Sequence, residues 1–251
     1  MAKPKLAFFD FACCEGCQLQ VLSMEDELLD VLGMVEIVNF REAIDDRRED
    51  YDIAIIEGSI TTPDAVERIK GIRQKAKVLI AMGACATSGG VNYLKNFQDL
   101  EEVRRCVYGD KANLFPTLKT MPVDQVVKVD AYMWGCPVTK GEILKVLTEA
   151  LSGRNFKPIN HPVCVECRSK GNICLFDKGM YCIGPVIRAG CDALCPSNGN
   201  RCIGCRGIIA DPNVNAHADI LKEHGISLEQ MLNQLRMFDG AREEKATWVK
   251  I

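Results

Sequence analysis

The sequence predicts an α/β protein. A mostly parallel, doubly wound sheet is expected over residues 1–155, followed by a small irregular cysteine-rich domain over residues 156–251. Three observations predict it. Short apolar runs of strand length alternate with helical patterns along the first part of the chain, as in strands joined by crossover helices. After Gly153 the composition shifts to Cys, Gly, Pro and Asn, with few long apolar runs. Cysteines also fall just past the ends of the expected strands, the edge at which open α/β sheets bind ligands.

Residues 6–11 (LAFFDF) form an apolar run of strand length that ends at the first cysteine loop. Residues 18–32 then follow a helical period, with Val21, Leu28 and Leu32 on one face and Gly33 as the stop. Residues 35–40 read as a second strand, and the charged stretch 41–50 as solvated surface. Residues 52–57 (DIAIIE) read as a buried strand closed by Gly58-Ser59. Pro63 suits the start of a helix to about Lys75, because its ring presets the helical φ. Residues 77–82 read as another buried strand, 100–107 as a helix, 129–134 as a strand and 140–151 as a helix. In the tail, Ser227 and Gln230 make a capping-box pattern, with Leu228, Leu232 and Leu235 following at helical spacing.

Composition narrows the function. A net charge of −3 leaves no basic footprint, so nucleic acid is not an expected partner. Charged residues interrupt every candidate membrane span, and the N-terminus lacks the pattern of an export signal, so the chain is expected in the cytoplasm. Fourteen cysteines in a reducing compartment are better explained as metal ligands than as disulfides. No Walker loop and no GxGxxG after a strand is visible, and with three histidines no Ser-His-Asp grouping stands out.

Twelve of the cysteines sort into three quartets. Cys14 and Cys17, Cys85, and Cys136 each follow an expected strand, so the fold would gather them at one edge. Cys164, Cys167, Cys174 and Cys182, then Cys191, Cys195, Cys202 and Cys205, are packed into the second domain. Four soft thiolates complete the coordination of a [4Fe–4S] cube, and three cubes would make a relay for single electrons. For the first quartet the other reading is a thioredoxin-like CxxC, which leaves Cys85 and Cys136 unexplained. For the other eight it is a pair of structural zinc sites in an interaction protein; Cys195-Pro196, however, resembles the end of a bacterial ferredoxin run. Cys106 reads as a small buried apolar residue, His161 as a non-ligand, and His217 and His224 as surface residues. Glu15 reads as an exposed loop acid. Cys13 is ambiguous: of two neighbouring cysteines only one usually faces a given site, and Cys14 has the CxxC spacing.

As an ordered set these motifs resemble the small, electron-transfer subunit of [NiFe] hydrogenases. The matching stretches are Cys14-Glu-Gly-Cys17, Glu57-Gly-Ser59, Gly83-Ala-Cys-Ala86 and Gly135-Cys-Pro137. They continue with Val163-Cys-Val-Glu-Cys-Arg168, Cys182-Ile-Gly-Pro185, Arg188-Ala-Gly-Cys191 and Cys202-Ile-Gly-Cys-Arg-Gly207. The chain is similar to the cytoplasmic kind found in sulfhydrogenases and in NAD(P)- or F420-linked hydrogenases. The resemblance implies a flavodoxin-like first domain in which Cys14, Cys17, Cys85 and Cys136 hold a proximal cluster. It implies a medial cluster on Cys191, Cys195, Cys202 and Cys205, and a distal one on Cys164, Cys167, Cys174 and Cys182. Four cysteines at each of these two sites depart from periplasmic relatives, many of which have a medial [3Fe–4S] cluster and a distal histidine ligand.

The implied partners are a large subunit carrying the Ni–Fe site and a further redox subunit, flavin or iron–sulfur, so the chain is expected to be a hydrogenase subunit that is not catalytic alone. The Cys13-Cys14 pair is also similar to the homologous cluster-bearing subunit of respiratory complex I, which lacks the eight-cysteine domain. That likeness leaves a non-hydrogenase electron-transfer module as the alternative.

Overall fold

The computed structural model describes residues 3–154 and 156–243; the expected boundary residue 155 and the tail 244–251 lie outside the described residues. The chain divides into two compact units, Met1–Phe156 and Lys157–Ile251.

Unit 1 is built on five strands: β1 (Lys5–Asp10), β2 (Glu36–Asn39), β3 (Ile53–Glu57), β4 (Val78–Met82) and β5 (Ala131–Met133). All pair in parallel, in the order β2-β1-β3-β4-β5, which is the flavodoxin-like doubly wound order. Its helices are α1 (Gly16–Leu22), α2 (Asp26–Met34), α3 (Pro63–Lys75), α4 (Gly83–Ser88), α5 (Leu100–Tyr108) and α6 (Lys140–Leu151).

Alternation along the strands makes two cores. Leu6, Phe8, Ile53, Ile55, Ile80 and Met82 pack with Val21 and Val31 of α1 and α2 and with Ile143, Val146 and Leu147 of α6. Their neighbours Ala7, Phe9, Ala54, Ile56, Leu79 and Ala81 pack on the other face with Ile69 and Ile72 of α3. Both faces are covered, so these strands read as continuous apolar runs. Each such Leu or Ile contributes about 1.5–3 kcal/mol through burial. Thr62 caps α3 by accepting the Ala65 N–H at 3.3 Å, with Pro63 in the first turn.

The helix expected over 18–32 is two helices. The chain breaks at Ser23–Glu25, where Glu25 takes a φ of 54° and Met24 drops fully into the core. The break turns α2, so Leu32 is exposed rather than buried. Cys106 also departs from its expected burial: α5 buries none of its residues, and the thiol is exposed.

Unit 2 carries α7 (Val163–Ser169), α8 (Leu194–Ser197), α9 (Val214–Glu223) and α10 (Leu228–Glu243). Val163, Leu175, Ile183, Ile187, Leu221, Met231 and Leu235 form a core of their own. The Leu228 side chain lies outside the described residues. The capping box forms as expected: Ser227 N–H donates to Gln230 Oε1 at 2.9 Å, and Gln230 N–H to Ser227 Oγ at 3.2 Å. Two buried arginines satisfy backbone carbonyls that a sheet would otherwise pair. Arg188 donates to Ile159 O and Ile208 O, each at 2.9 Å, and Arg206 to Ala189 O at 2.7 Å. No helix among the described residues is long and apolar enough to cross a membrane.

His217, expected at the surface, is 1% exposed, on the inward side of α9 and edge-on to Phe176; His224 is exposed as expected. Neither ring nitrogen of His217 has a hydrogen-bond partner among the described residues, and burial lowers its pKa from 6.5 to about 4. The unfolded chain therefore takes up this proton first as the pH falls. Stability drops from about pH 6.5 to about pH 4 at roughly 1.4 kcal/mol per unit, then levels off. His217→Leu should lack this component, so its thermal midpoint should fall less than the parent's between about pH 6.5 and pH 5. Parallel acid dependence of the two midpoints would contradict the assignment.

Candidate metal centres

The sheet register builds the first centre. Asp10 pairs with Glu57, Glu57 with Met82, and Met82 with Met133, so the last residues of four adjacent strands form one row. Each strand runs within a few residues into a cysteine or its support: Cys13, Cys14 and Cys17 after β1, Gly58-Ser59 after β3, Cys85 after β4 and Cys136 after β5. Hydrogen bonds tie these loops together. Ala12 and Ser59 exchange backbone bonds at 3.2 and 3.0 Å, and Ala84 N–H donates to Gly135 O at 2.7 Å.

The thiols gather accordingly. Cys85 feels the charges of Cys136, Cys13, Cys14 and Glu57, and Cys17 those of Glu57 and Cys136. Cys13 acts on Cys85 alongside Cys14, so both neighbours in the loop lie within electrostatic reach of it.

Glu57 is the residue that sequence spacing did not single out for a role. Its side chain is 2% exposed, and its carboxylate accepts the N–H groups of Cys17 and Gln18 at 3.0 and 3.1 Å. These are the donors that an N-cap side chain ordinarily satisfies. Glu15, the residue in the cap position, has a φ of 61° and does not cap α1; its carboxylate pairs with Arg41 instead. The sequence signals were an acid at the end of an otherwise apolar strand and its place in the Glu57-Gly-Ser59 stretch of the resemblance.

In unit 2, Cys164 lies within electrostatic reach of Cys182, Cys167 and Cys174, the other members of its quartet. Cys202 feels those of Cys182, Cys205 and Cys191. Cys195 is half-buried on α8; sequence spacing, rather than a described contact, groups it with the last three. The two quartets touch: Cys182 Sγ accepts the N–H of Gly184 and that of Cys202, both at 3.4 Å. Asn172 also directs its amide at Cys167 Sγ, at 3.7 Å. His161 is exposed, and its carbonyl accepts the Ala189 N–H.

Burial raises the pKa of these thiols: to about 12 for Cys13, Cys85 and Cys164, and upward for Cys17, Cys136, Cys182, Cys191 and Cys202. A redox CxxC works by the opposite shift, a depressed pKa that exposes a thiolate. None of the fourteen cysteines forms a disulfide. Thiols this protonated become ligands when a cation displaces the proton.

The surroundings fit an iron–sulfur cluster. The donors are all thiols, amide N–H groups point at sulfur, and glycines leave room beside it. A Cβ on Gly83 would lie 2.5 Å from Cys17 Sγ, and one on Gly90 2.9 Å from Cys85 Sγ. Among the described residues no three His, Cys, Asp or Glu side chains close on a single ion; a cube instead spreads its ligands over four irons.

Fold and site define an α/β oxidoreductase subunit that collects thiols at the C-terminal edge of a parallel sheet. The chain belongs to the family described as NADH ubiquinone oxidoreductase, 20 Kd subunit, whose model matches residues 14–150. It is 37% identical to sulfhydrogenase 2 subunit delta of Pyrococcus furiosus, over 93% of this chain and 98% of that one. It is 34% identical to a subunit of the F420-non-reducing hydrogenase vhu of Methanococcus voltae, over 82% of each. Among solved structures, a chain of an NAD+-reducing [NiFe]-hydrogenase matches at TM-score 0.56 and 29% identity, covering 62% of this chain and 96% of that one. A chain of the [NiFeSe]-hydrogenase of Dm. baculatum shares the fold at TM-score 0.59 and 15% identity, over 82% and 95%.

Proposed function

We propose that this chain is the small, electron-transfer subunit of a multimeric cytoplasmic [NiFe] hydrogenase. Cys14, Cys17, Cys85 and Cys136 hold a proximal [4Fe–4S] cluster, Cys191, Cys195, Cys202 and Cys205 a medial one, and Cys164, Cys167, Cys174 and Cys182 a distal one. When bound, such clusters accept and release electrons singly. The chain's own residues supply the ligands, the N–H donors that tune them, and the burial that keeps water away.

The observation that carries the reading is the convergence of four strand-end loops on one group of thiols. Its companion is the Cys202 N–H bond to Cys182 Sγ, which supports two adjoining sites in unit 2 rather than independent structural ones. The partners follow from the same reading: a large subunit carrying the Ni–Fe site and a further flavin or iron–sulfur subunit.

The family match ends at residue 150, and a complex I-like module would need nothing beyond it. The relatives that run through both units carry hydrogenase names, which favours the hydrogenase.

The complex should be purified anaerobically through this chain and assayed for H2-dependent viologen reduction. Activity with a nickel-containing larger chain is expected, and Cys85→Ala should reduce it at least a hundredfold, on the order of 3 kcal/mol of lost barrier lowering. An iron-rich complex without nickel or activity would favour the complex I-like module. A colourless, zinc-containing chain would overturn both.

A further inference from the structure

Glu166 lies on α7 between Cys164 and Cys167, yet both of its oxygens serve the other quartet. Oε1 accepts the N–H of Gly190 at 2.7 Å, and Oε2 that of Ala193 at 3.1 Å. These residues bracket Cys191 in a contorted segment: Gly190, Asp192 and Ala193 have φ of 110°, 57° and 49°. Two consecutive non-glycine residues in the left-handed region are costly, by about 1–2 kcal/mol each, and persist only where surrounding contacts enforce them. Ala193 is fully buried, so its N–H has no access to water. Arg206 closes the other side, packed against Gly190 and donating to Ala189 O. The residue before Cys191, Gly190, thus gives its N–H to the carboxylate and packs against the guanidinium, and both groups act on Cys191 electrostatically.

We propose that Glu166 is a positioning residue that locks the Cys191 loop to the helix carrying Cys164 and Cys167, and that its charge lowers the potential of the cluster held through Cys191. The inference rests on the cluster reading of the two quartets. A carboxylate does here what neither thiol set can do alone. It holds the Cys191 loop in register with the helix that carries the other quartet, and its negative charge opposes the charge that the nearby site gains on reduction.

The test is an EPR-monitored redox titration of the anaerobically purified complex, with iron and acid-labile sulfide counted on the same samples. Glu166→Gln keeps the shape and one acceptor but removes the charge. It should retain all its iron while one cluster becomes easier to reduce, by on the order of tenfold in its oxidised-to-reduced ratio, about 59 mV for one electron. Glu166→Ala removes the carboxylate that accepts both N–H groups and should lose the iron of that one site. Should Glu166→Gln not accumulate, Glu166→Asp keeps the charge but is one methylene shorter. It should then keep the parent potentials while the Gly190 and Ala193 amides exchange hydrogen at least tenfold faster. A fully loaded Glu166→Gln with every potential unchanged overturns the inference, as does Glu166→Asp with unchanged exchange. A parent complex lacking acid-labile sulfide sinks the cluster reading itself, a failure distinct from either.

Discussion

Replacing Glu57 with alanine is expected to strip the unit 1 site of its iron while both unit 2 sites keep theirs. The carboxylate is buried and accepts two N–H groups from the turn that presents Cys17. Alanine would leave both donors buried and unpaired, at a cost of about 1–3 kcal/mol each. The helix they begin has 7 residues, too short to hold itself without tertiary support. The residue that would cap it from within, Glu15, is turned away in a left-handed conformation. The Cys14–Cys17 loop should therefore lose its geometry before the sheet loses its fold. Iron and acid-labile sulfide should fall by about one cluster's worth, four of each, with the circular dichroism of the parent retained. Glu57→Gln, which keeps one acceptor, should fall between alanine and the parent. Full iron in Glu57→Ala would mean that the thiols, rather than the carboxylate, order the loop.

Much of the fold was legible because its signals are local. Proline at the start of α3, the Ser227–Gln230 box and the apolar runs of β1, β3 and β4 each state their own structure within a few residues. The strand-end cysteines were legible for a related reason: a parallel sheet places every strand's C-terminus on one edge, so sequence position converts directly into spatial position.

What stayed hidden depends on contacts between distant segments. Glu57 acts on residues 39 and 40 positions earlier, and Glu166 on residues 24 and 27 positions later. In both cases the partner is a backbone N–H that carries no side-chain signature. His217 and Cys106 were misplaced by the same limit. A helical period tells which residues share a face, whereas the neighbouring elements decide whether that face is covered. α9 packs His217 against Phe176, while α5 leaves Cys106 outside.

Gly83→Ala should be as damaging as the loss of Glu57, by a route that involves no hydrogen-bond partner. Gly83 opens α4 with a φ of 85°, and a Cβ there would lie 2.5 Å from Cys17 Sγ. The left-handed backbone alone costs an alanine about 1–2 kcal/mol, and the sulfur must move as well. Its retreat is restricted, because Cys17 is buried and its N–H is held by Glu57. The backbone cannot yield freely either, since Ala84 N–H is bonded to Gly135 O beside Cys136. One methyl group therefore presses on three of the cysteine loops at once, and the expected result is loss of the unit 1 iron together with a lower thermal midpoint. Gly141→Ala is the matched control. It lies in the first turn of α6 with nothing within 4 Å of the added carbon, so the same substitution should raise stability by about 0.5–1 kcal/mol and leave the iron untouched. Opposite signs at the two glycines would tie the damage to the sulfur that Gly83 makes room for. A Gly83→Ala protein with full iron and an unshifted midpoint would mean that Cys17 can move aside, and that the close approach is not what sets the site.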